Sequence, residues 1–187
     1  MSVQDRARWD AHYRQREGDS YPEPDPLLFL HTPPALPDTP QRALDLAGGI
    51  GQNALWVAEQ GYTVDLMDIS RVGLLRAQDE MLQRDIRNVN LFQVDFDSVI
   101  LQPETYDLIC VFRYLHLPLM PALRAAVRPG GRIIYETFHA GHLQVKPDFN
   151  RCYVLQEGEL LGYFGDWHIL HHAERATTSQ VVAVKPR

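Results

Sequence analysis

Ala43-Leu44-Asp45-Leu46-Ala47-Gly48-Gly49-Ile50-Gly51-Gln52-Asn53-Ala54, followed by Val64-Asp65-Leu66-Met67-Asp68-Ile69-Ser70, is the stretch that decides the fold. An apolar strand runs into glycines, and the glycines open a helix. Gly49 and Gly51 carry no Cβ to block a close approach. A helix begun at Gln52 turns its unpaired N–H groups and positive dipole end toward whatever lies above the turn. Asp68 ends the next strand, where a carboxylate can accept both hydroxyls of a ribose. A dinucleotide fingerprint shares this logic, but here an acid, Asp45, sits inside the first strand four residues before Gly49. An acid there suits a cationic ligand better than a pyrophosphate.

Outward from this unit, strands and helices alternate, as in a parallel sheet covered on both faces. The patterns predict strands at 42–47, 62–68, 89–95, 106–112 and 131–138, with helices at 52–60, 71–84 and within 118–127. Gly61 reads as a helix stop, Ser70 as an N-cap, and Arg128-Pro129-Gly130-Gly131 as a hard break before the fifth strand. After a predicted helix at 156–163, the runs 167–174 and 177–184 are strand-like and separated by only a few residues. So short a link permits an antiparallel pair and forbids a parallel crossover.

Residues 3–16 read as a short amphipathic helix with Trp9 and Tyr13 one turn apart and Asp10 and Arg14 as an ion pair. From Tyr21 to Pro40 stand seven prolines, at 22, 24, 26, 33, 34, 37 and 40. They exclude a regular strand or long helix apart from a turn at Leu27–Leu30, so this segment reads as a rigid cover. At 187 residues with 45% hydrophobic side chains, the chain suits one well-buried domain. A net charge of −6 argues against broad nucleic-acid binding, which relies on Lys and Arg. Cys110 falls in a strand and Cys152 in a loop, which is no disulfide framework and fits a reducing cytoplasm. No apolar leader or membrane-length span is present in the sequence, so the expectation is a soluble, unprocessed protein. Oligomeric state is not legible.

The pattern Asp-x-x-x-Gly-x-Gly, with an acid ending the second strand, resembles class I S-adenosylmethionine-dependent methyltransferases. That resemblance covers residues 41–187 and leaves 1–40 as an N-terminal helix and proline-rich lid. It implies a Rossmann-like α/β fold: a seven-stranded sheet, order 3-2-1-4-5-7-6, strand 7 antiparallel, with helices on both faces. Trp9-Asp10-x-x-Tyr13, the proline segment and Phe112-Arg113-Tyr114-Leu115-His116 together resemble small bacterial tellurite-resistance-like methyltransferases. Many relatives carry a basic residue where this chain has Gln52, so any role of that charge does not transfer.

Ligands of such sheets bind at the C-terminal strand ends near the point where strand order reverses, between strands one and four. The expected cofactor positions are Asp45, Ala47, Gly49, Gly51, Asn53, Asp68, Ile69, Phe96 and Phe112. The resemblance adds Asp95 for the adenine amino group, with Asp97 as its rival and a turn cap as the plain alternative. Trp9, Tyr13 and Tyr21 are candidates for an aromatic lid over a sulfonium, against simple packing. Trp56 and Trp167 read as packing. For the acceptor, the candidates are Tyr21, Arg113, Tyr114, His116 and Glu136.

Methyl transfer is an in-line displacement at a strong electrophile, so alignment and dehydration matter most and a base is optional. His116 and His139 are the candidate bases; the alternatives are a helix cap and a solvated loop residue. Arg113 is either a bidentate clamp for an anionic acceptor or the structural partner of Glu136. His139-x-x-His142 and His171-His172 lack convincing further ligands, and no metal is expected. The leading reading is a methyltransferase for a small-molecule acceptor such as a thiol, selenol or tellurium species. A catalytically silent S-adenosylmethionine-binding module is the alternative; a nicotinamide oxidoreductase would need a further domain for which the length leaves no room.

Overall fold

The computed structural model describes residues 3–36 and 38–187, so Pro37 of the proline segment lies outside the described residues. Strand order in the sheet is β3-β2-β1-β4-β5-β7-β6. The chain forms two units, Met1–Ile100 and Leu101–Arg187.

In the first unit, α1 (Val3–Gln15) and α2 (Pro26–His31) precede β1 (Arg42–Leu46), α3 (Gln52–Glu59), β2 (Thr63–Asp68), α4 (Arg71–Gln83) and β3 (Val89–Gln93). The three strands are parallel, with Asp45 opposite Leu66 and Asp68 opposite Gln93. β1 and β2 are buried along almost their whole length, as strands covered on both faces must be, while β3 is largely exposed. Ser70 caps α4 as its sequence position predicts, its side chain accepting from Gly73 N–H at 3.1 Å. The proline segment is pinned by Tyr62, whose hydroxyl donates to the Pro33 carbonyl. α2 begins at a proline with Asp25 as its cap, which makes the expected turn a full short helix.

The second unit holds β4 (Tyr106–Phe112), α5 (Met120–Ala126), β5 (Val127–Phe138), α6 (His142–Val145), α7 (Glu159–Gly162), β6 (His168–Glu174) and β7 (Thr178–Val184). β4 and β5 are parallel, and β7 runs antiparallel to both β5 and β6. Two expectations are corrected here. The Arg128–Gly131 run does not stand before the fifth strand but inside it. Between the pairs Tyr106–Val127 and Leu108–Arg132, Asp107 alone faces four residues of β5, and Arg128 Nη1 closes this bulge on Asp107 at 2.8 Å. The helix expected at 156–163 shrinks to α7, which starts after Gly158 in a left-handed conformation. α6 lacks an apolar period and was not legible.

Candidate active site

The site in the first unit grows from the end of β1. Ala47 takes φ 56, an uncommon conformation for a residue with a Cβ, and turns the chain out of the strand. Gly49 and Gly51 continue the turn at φ 60 and 83. A Cβ on Gly49 would lie 2.2 Å from the Tyr13 hydroxyl, so α1 is seated directly on the turn. Gly73, which sequence reasoning missed, packs from α4: its Cβ would meet Gly49 O and the Tyr13 ring at 3.0 Å. An isolated glycine near the start of a helical pattern is the signal that flags it.

Asp45 is buried. Its Oδ2 accepts from Ala54 N–H at 3.0 Å, so a strand residue caps the third N–H of α3, whose own cap position is a glycine without a side chain. Its Oδ1 is buried with no hydrogen-bond partner among the described residues. Asp68 is also buried, and its two oxygens accept from Gly49 N–H (2.9 Å) and Ser70 N–H (2.8 Å). The carboxylate expected to face a ribose thus also ties the glycine turn to the start of α4.

Residues of the first forty are tied to the same place. Asp10, expected to pair with Arg14, instead accepts from Ser70 Oγ at 2.6 Å and Val72 N–H at 3.2 Å. Tyr21 donates to the Ile50 carbonyl at 2.5 Å, and Asn53 Oδ1 accepts from Asp25 N–H at 2.8 Å. Tyr21 and Asn53 therefore hold the covering segment to the turn. Trp9 and Tyr13 stack on each other at 6.1 Å and are half-buried. Ile69 and Phe96 are buried. Asp95 Oδ1 accepts from Asp97 N–H at 3.0 Å, the turn cap named as its plain alternative, and Asp97 itself is exposed.

Burial pushes the Asp45 carboxyl up to about 7, with the nearby Asp68 charge adding and the Ala54 N–H opposing. Burial likewise pushes Asp68 up to about 6 against the N–H groups of Ser70, Gly49 and Ile69. Burial first, then Asp68 and Asp45, raises the Tyr13 phenol, which stays protonated. The folded chain holds protons on these carboxyls that the unfolded chain has released. Their contribution to stability is full below about pH 4 and falls as pH rises through about 6 to 7. A cationic ligand reverses the preference by favouring the ionised forms. Its affinity should rise between about pH 6 and 8 with proton release, which calorimetry in buffers of different ionisation enthalpy measures directly.

In the second unit, Phe112 is buried at the end of β4, and Arg113 follows at φ 56. Arg113 N–H donates to the Glu136 carbonyl at 2.8 Å, and its Nη2 stands 3.7 Å from Glu136 Oε1. The ion pair anticipated as the alternative to a clamp is present. With Arg113 about half exposed, a double-mutant cycle of Arg113→Ala and Glu136→Gln should give a coupling below about 1 kcal/mol. A larger value would make the pair a structural determinant.

Tyr114 is half-buried, its carbonyl accepting from Tyr135 Oη at 3.1 Å. His116 is the cap residue of the 3₁₀ turn Leu117–Leu119, as its plain alternative had it, through its carbonyl, which accepts from Leu119 N–H at 3.0 Å, and not through its side chain. His139 is corrected. It is neither solvated nor poised as a base: buried, it lies 2.8 Å from the Arg175 carbonyl through Nε2 and accepts from Gly141 N–H through Nδ1 at 2.9 Å. Both ring nitrogens are occupied by backbone, which holds the start of the 140–155 excursion. His142 lies stacked on Phe138 at 4.0 Å, and burial lowers its pKa. Among the described residues no group of three or more His, Cys, Asp or Glu is placed to hold a metal. Neither cysteine is in a disulfide, Cys110 being buried and Cys152 exposed, and no described helix is long and apolar enough to cross a membrane.

Sheet order, antiparallel β7 and the glycine turn between β1 and α3 define the class I S-adenosylmethionine-dependent methyltransferase fold. Residues 43–131 match the family model described as methyltransferase domain. An S-adenosylmethionine-dependent methyltransferase from Mesorhizobium loti superposes with a TM-score of 0.70 at 19% identity, covering 86% of this chain and 96% of that one. TehB from Haemophilus influenzae superposes at 0.68 and 16% identity, covering 85% and 65%. A curated relative, Hemagglutinin 1 of Eikenella corrodens, is 29% identical over 143 residues, 72% of this chain, which spans 46% of that protein's length. The cofactor of this class fits the residues present in one respect, since a buried carboxylate oxygen without a partner, Asp45 Oδ1, suits a cationic ligand; the Cβ positions of Gly49 and Gly51 face the protein's own side chains rather than an open approach, which corrects that expectation.

Proposed function

We propose that this protein transfers a methyl group from S-adenosylmethionine to a small-molecule acceptor. The observation that carries the reading is Asp45 Oδ1, buried at the glycine turn without a hydrogen-bond donor. Leaving such an atom dry is costly, and a cationic ligand group offsets that cost. When bound, S-adenosylmethionine supplies a methyl group already activated by a sulfonium. The chain's part is then alignment and exclusion of water. Asp45 holds the cationic end, Asp68 receives ribose hydroxyls with the lone pairs its backbone bonds leave, and Ile69 and Phe96 supply apolar walls. Asp95 takes the adenine amino group, while Trp9 and Tyr13 cover the turn. His116 is the base in this reading. His139 positions the loop after β5.

The resemblance to tellurite-resistance-like proteins supports a thiol, selenol or reduced tellurium species as acceptor. The net charge of −6 supports a small molecule over nucleic acid, and two cysteines outside any disulfide support a cytoplasmic location. Incubating the purified chain with S-adenosylmethionine and a pooled acceptor panel, with S-adenosylhomocysteine read by mass spectrometry, tests the function. Binding without turnover across the panel would favour the silent module.

Residues 1–40 act as a lid in this reading, supported by the bonds of Asp10, Tyr21 and Asp25 to the turn and its neighbours. Hydrogen exchange should show greater protection over residues 9–21 with cofactor than without, and equal protection would remove the lid.

A further inference from the structure

The outermost strand of the first unit, β3, pairs with β2 alone among the described strands. Val94 N–H donates to the Asp68 carbonyl at 2.9 Å, and the Asn88 carbonyl accepts from Val64 N–H at 2.8 Å. The N–H and C=O of one residue point to the same side of a strand and alternate along it, so Val89, Leu91 and Gln93 present theirs outward. Such an edge is ordinarily blunted by charge, proline or a bulge. β6, the outer strand of the second unit, follows that rule, with a break in register between Ile169 and His171 and Glu174 at its end. Val89-Asn90-Leu91-Phe92-Gln93 carries no charge and no proline, and its register against β2 is unbroken.

Apolar side chains flank this edge on both faces of the sheet. Leu66 and Ala77 meet at Gly51, so α4 covers the face of Leu66 and of its register partner Leu91, while Phe92 lies on the opposite face. α4 turns Leu74 and Ala77 into the core, and Val72 and Arg76 bond to Asp10, Arg16 and Asp19. Its C-cap Arg84 reaches Glu59 of α3 at 3.9 Å. Leu75 and Leu82, seven residues apart and so on one stripe, fall on the flank turned away from α1 and α3, 47% and 76% exposed. Phe92 is 41% exposed. The ends of the strand differ in charge: Arg84 and Arg87 precede it, with Asp85 held by Arg87 at 2.9 Å, and Asp95 and Asp97 follow it.

We propose that β3 is an interface between two copies of this chain, joined edge to edge about a two-fold axis at Leu91. Antiparallel copies then set Leu91 opposite Leu91 and Val89 opposite Gln93, and the outward N–H and C=O groups of these residues bond to one another. Phe92 stands opposite Asn90 of the second copy and diagonal to its Phe92, a spacing that aromatic side chains bridge. With neighbouring strands about 4.8 Å apart, two α4 helices seated over β2 and β3 run about 10 Å apart, where helices pack. Their antiparallel course brings Leu75 of one copy toward Leu82 of the other. Arg87 of each copy comes opposite the turn of the other that carries Asp97. A second copy is the partner that fits, because one patch holds both the basic and the acidic end that an isologous contact requires.

Sedimentation velocity on the full chain, with no ligand added, tests this. Wild type at about 100 μM should sediment as a dimer. Leu82→Glu and Phe92→Lys change exposed side chains on opposite faces of the sheet. Each should raise the dimer dissociation constant about tenfold or more, while circular dichroism keeps the wild-type helix and strand content. Arg87→Glu should weaken association about threefold, and Arg87→Glu combined with Asp97→Arg should recover it. A wild-type chain that stays monomeric at that concentration overturns the proposal. So does a dimer whose dissociation constant moves by less than about twofold in either apolar variant. A charge-exchanged double variant that associates no more tightly than Arg87→Glu alone overturns the antiparallel register.

Discussion

Asp68→Ala is expected to weaken S-adenosylmethionine binding by about 2–4 kcal/mol, roughly thirtyfold to several hundredfold in Kd. The carboxylate has two duties. It is proposed to receive ribose hydroxyls, and it already accepts from Gly49 and Ser70 N–H, which joins the glycine turn to the first turn of α4. Removing it takes away the ligand's acceptor and leaves two buried N–H groups to seek others, so the turn loses its set shape as well. Because the group is ionised less readily when buried, Asp68→Asn keeps part of the turn's bonding and should lose less. Calorimetry on the folded variants decides it, and an affinity equal to wild type in Asp68→Ala would take Asp68 out of the site.

Gly51→Val should lower stability by about 2–5 kcal/mol, combining the cost of a left-handed conformation for an L residue with overpacking. Gly51 has φ 83, and a Cβ there would lie 2.8 Å from Leu66 Cδ2, 3.0 Å from Ala77 Cβ and 3.2 Å from Leu55 Cδ1. These atoms come from β2, α4 and α3, so no single side chain can move aside to make room. Gly49 offers the contrast. The atom facing its Cβ belongs to Tyr13 on α1, so Gly49→Ala should displace α1 before it unfolds the core. Urea unfolding of both variants, read against wild type, separates the two cases; equal stability of Gly51→Val and wild type would show that the turn relaxes freely.

Much of the fold was legible because its signals are local. The predicted bounds of the first four strands and of the α3 and α4 helices lie within two residues of those observed, since strand burial and helix caps are written in neighbouring residue types. The expected sheet order is also the observed one. What escaped is nonlocal. Nothing around Arg128-Pro129-Gly130-Gly131 says that the strand resumes on both sides of it; the pairing partner β4 decides that by supplying Asp107 to close the bulge. α6 and the short α7 are set by contacts of the excursion after β5, with no period of their own.

Residue types, spacing and position along strands determined the α/β class, the glycine turn and the two acids Asp45 and Asp68. These depend on backbone sterics and on alternation within a few residues, which the chain carries wherever it folds. Only the tertiary structure decided how those groups are paired: which oxygen of Asp45 is left without a donor, that Asp10 caps α4 rather than meeting Arg14, that His139 is locked by backbone, and that Gln180 and His171 stand behind Glu136. Hydrogen-bond partners here are often 40 or more residues apart in the chain, as Glu136 and Gln180 are, and their meeting is settled by strand register rather than by either residue's neighbours.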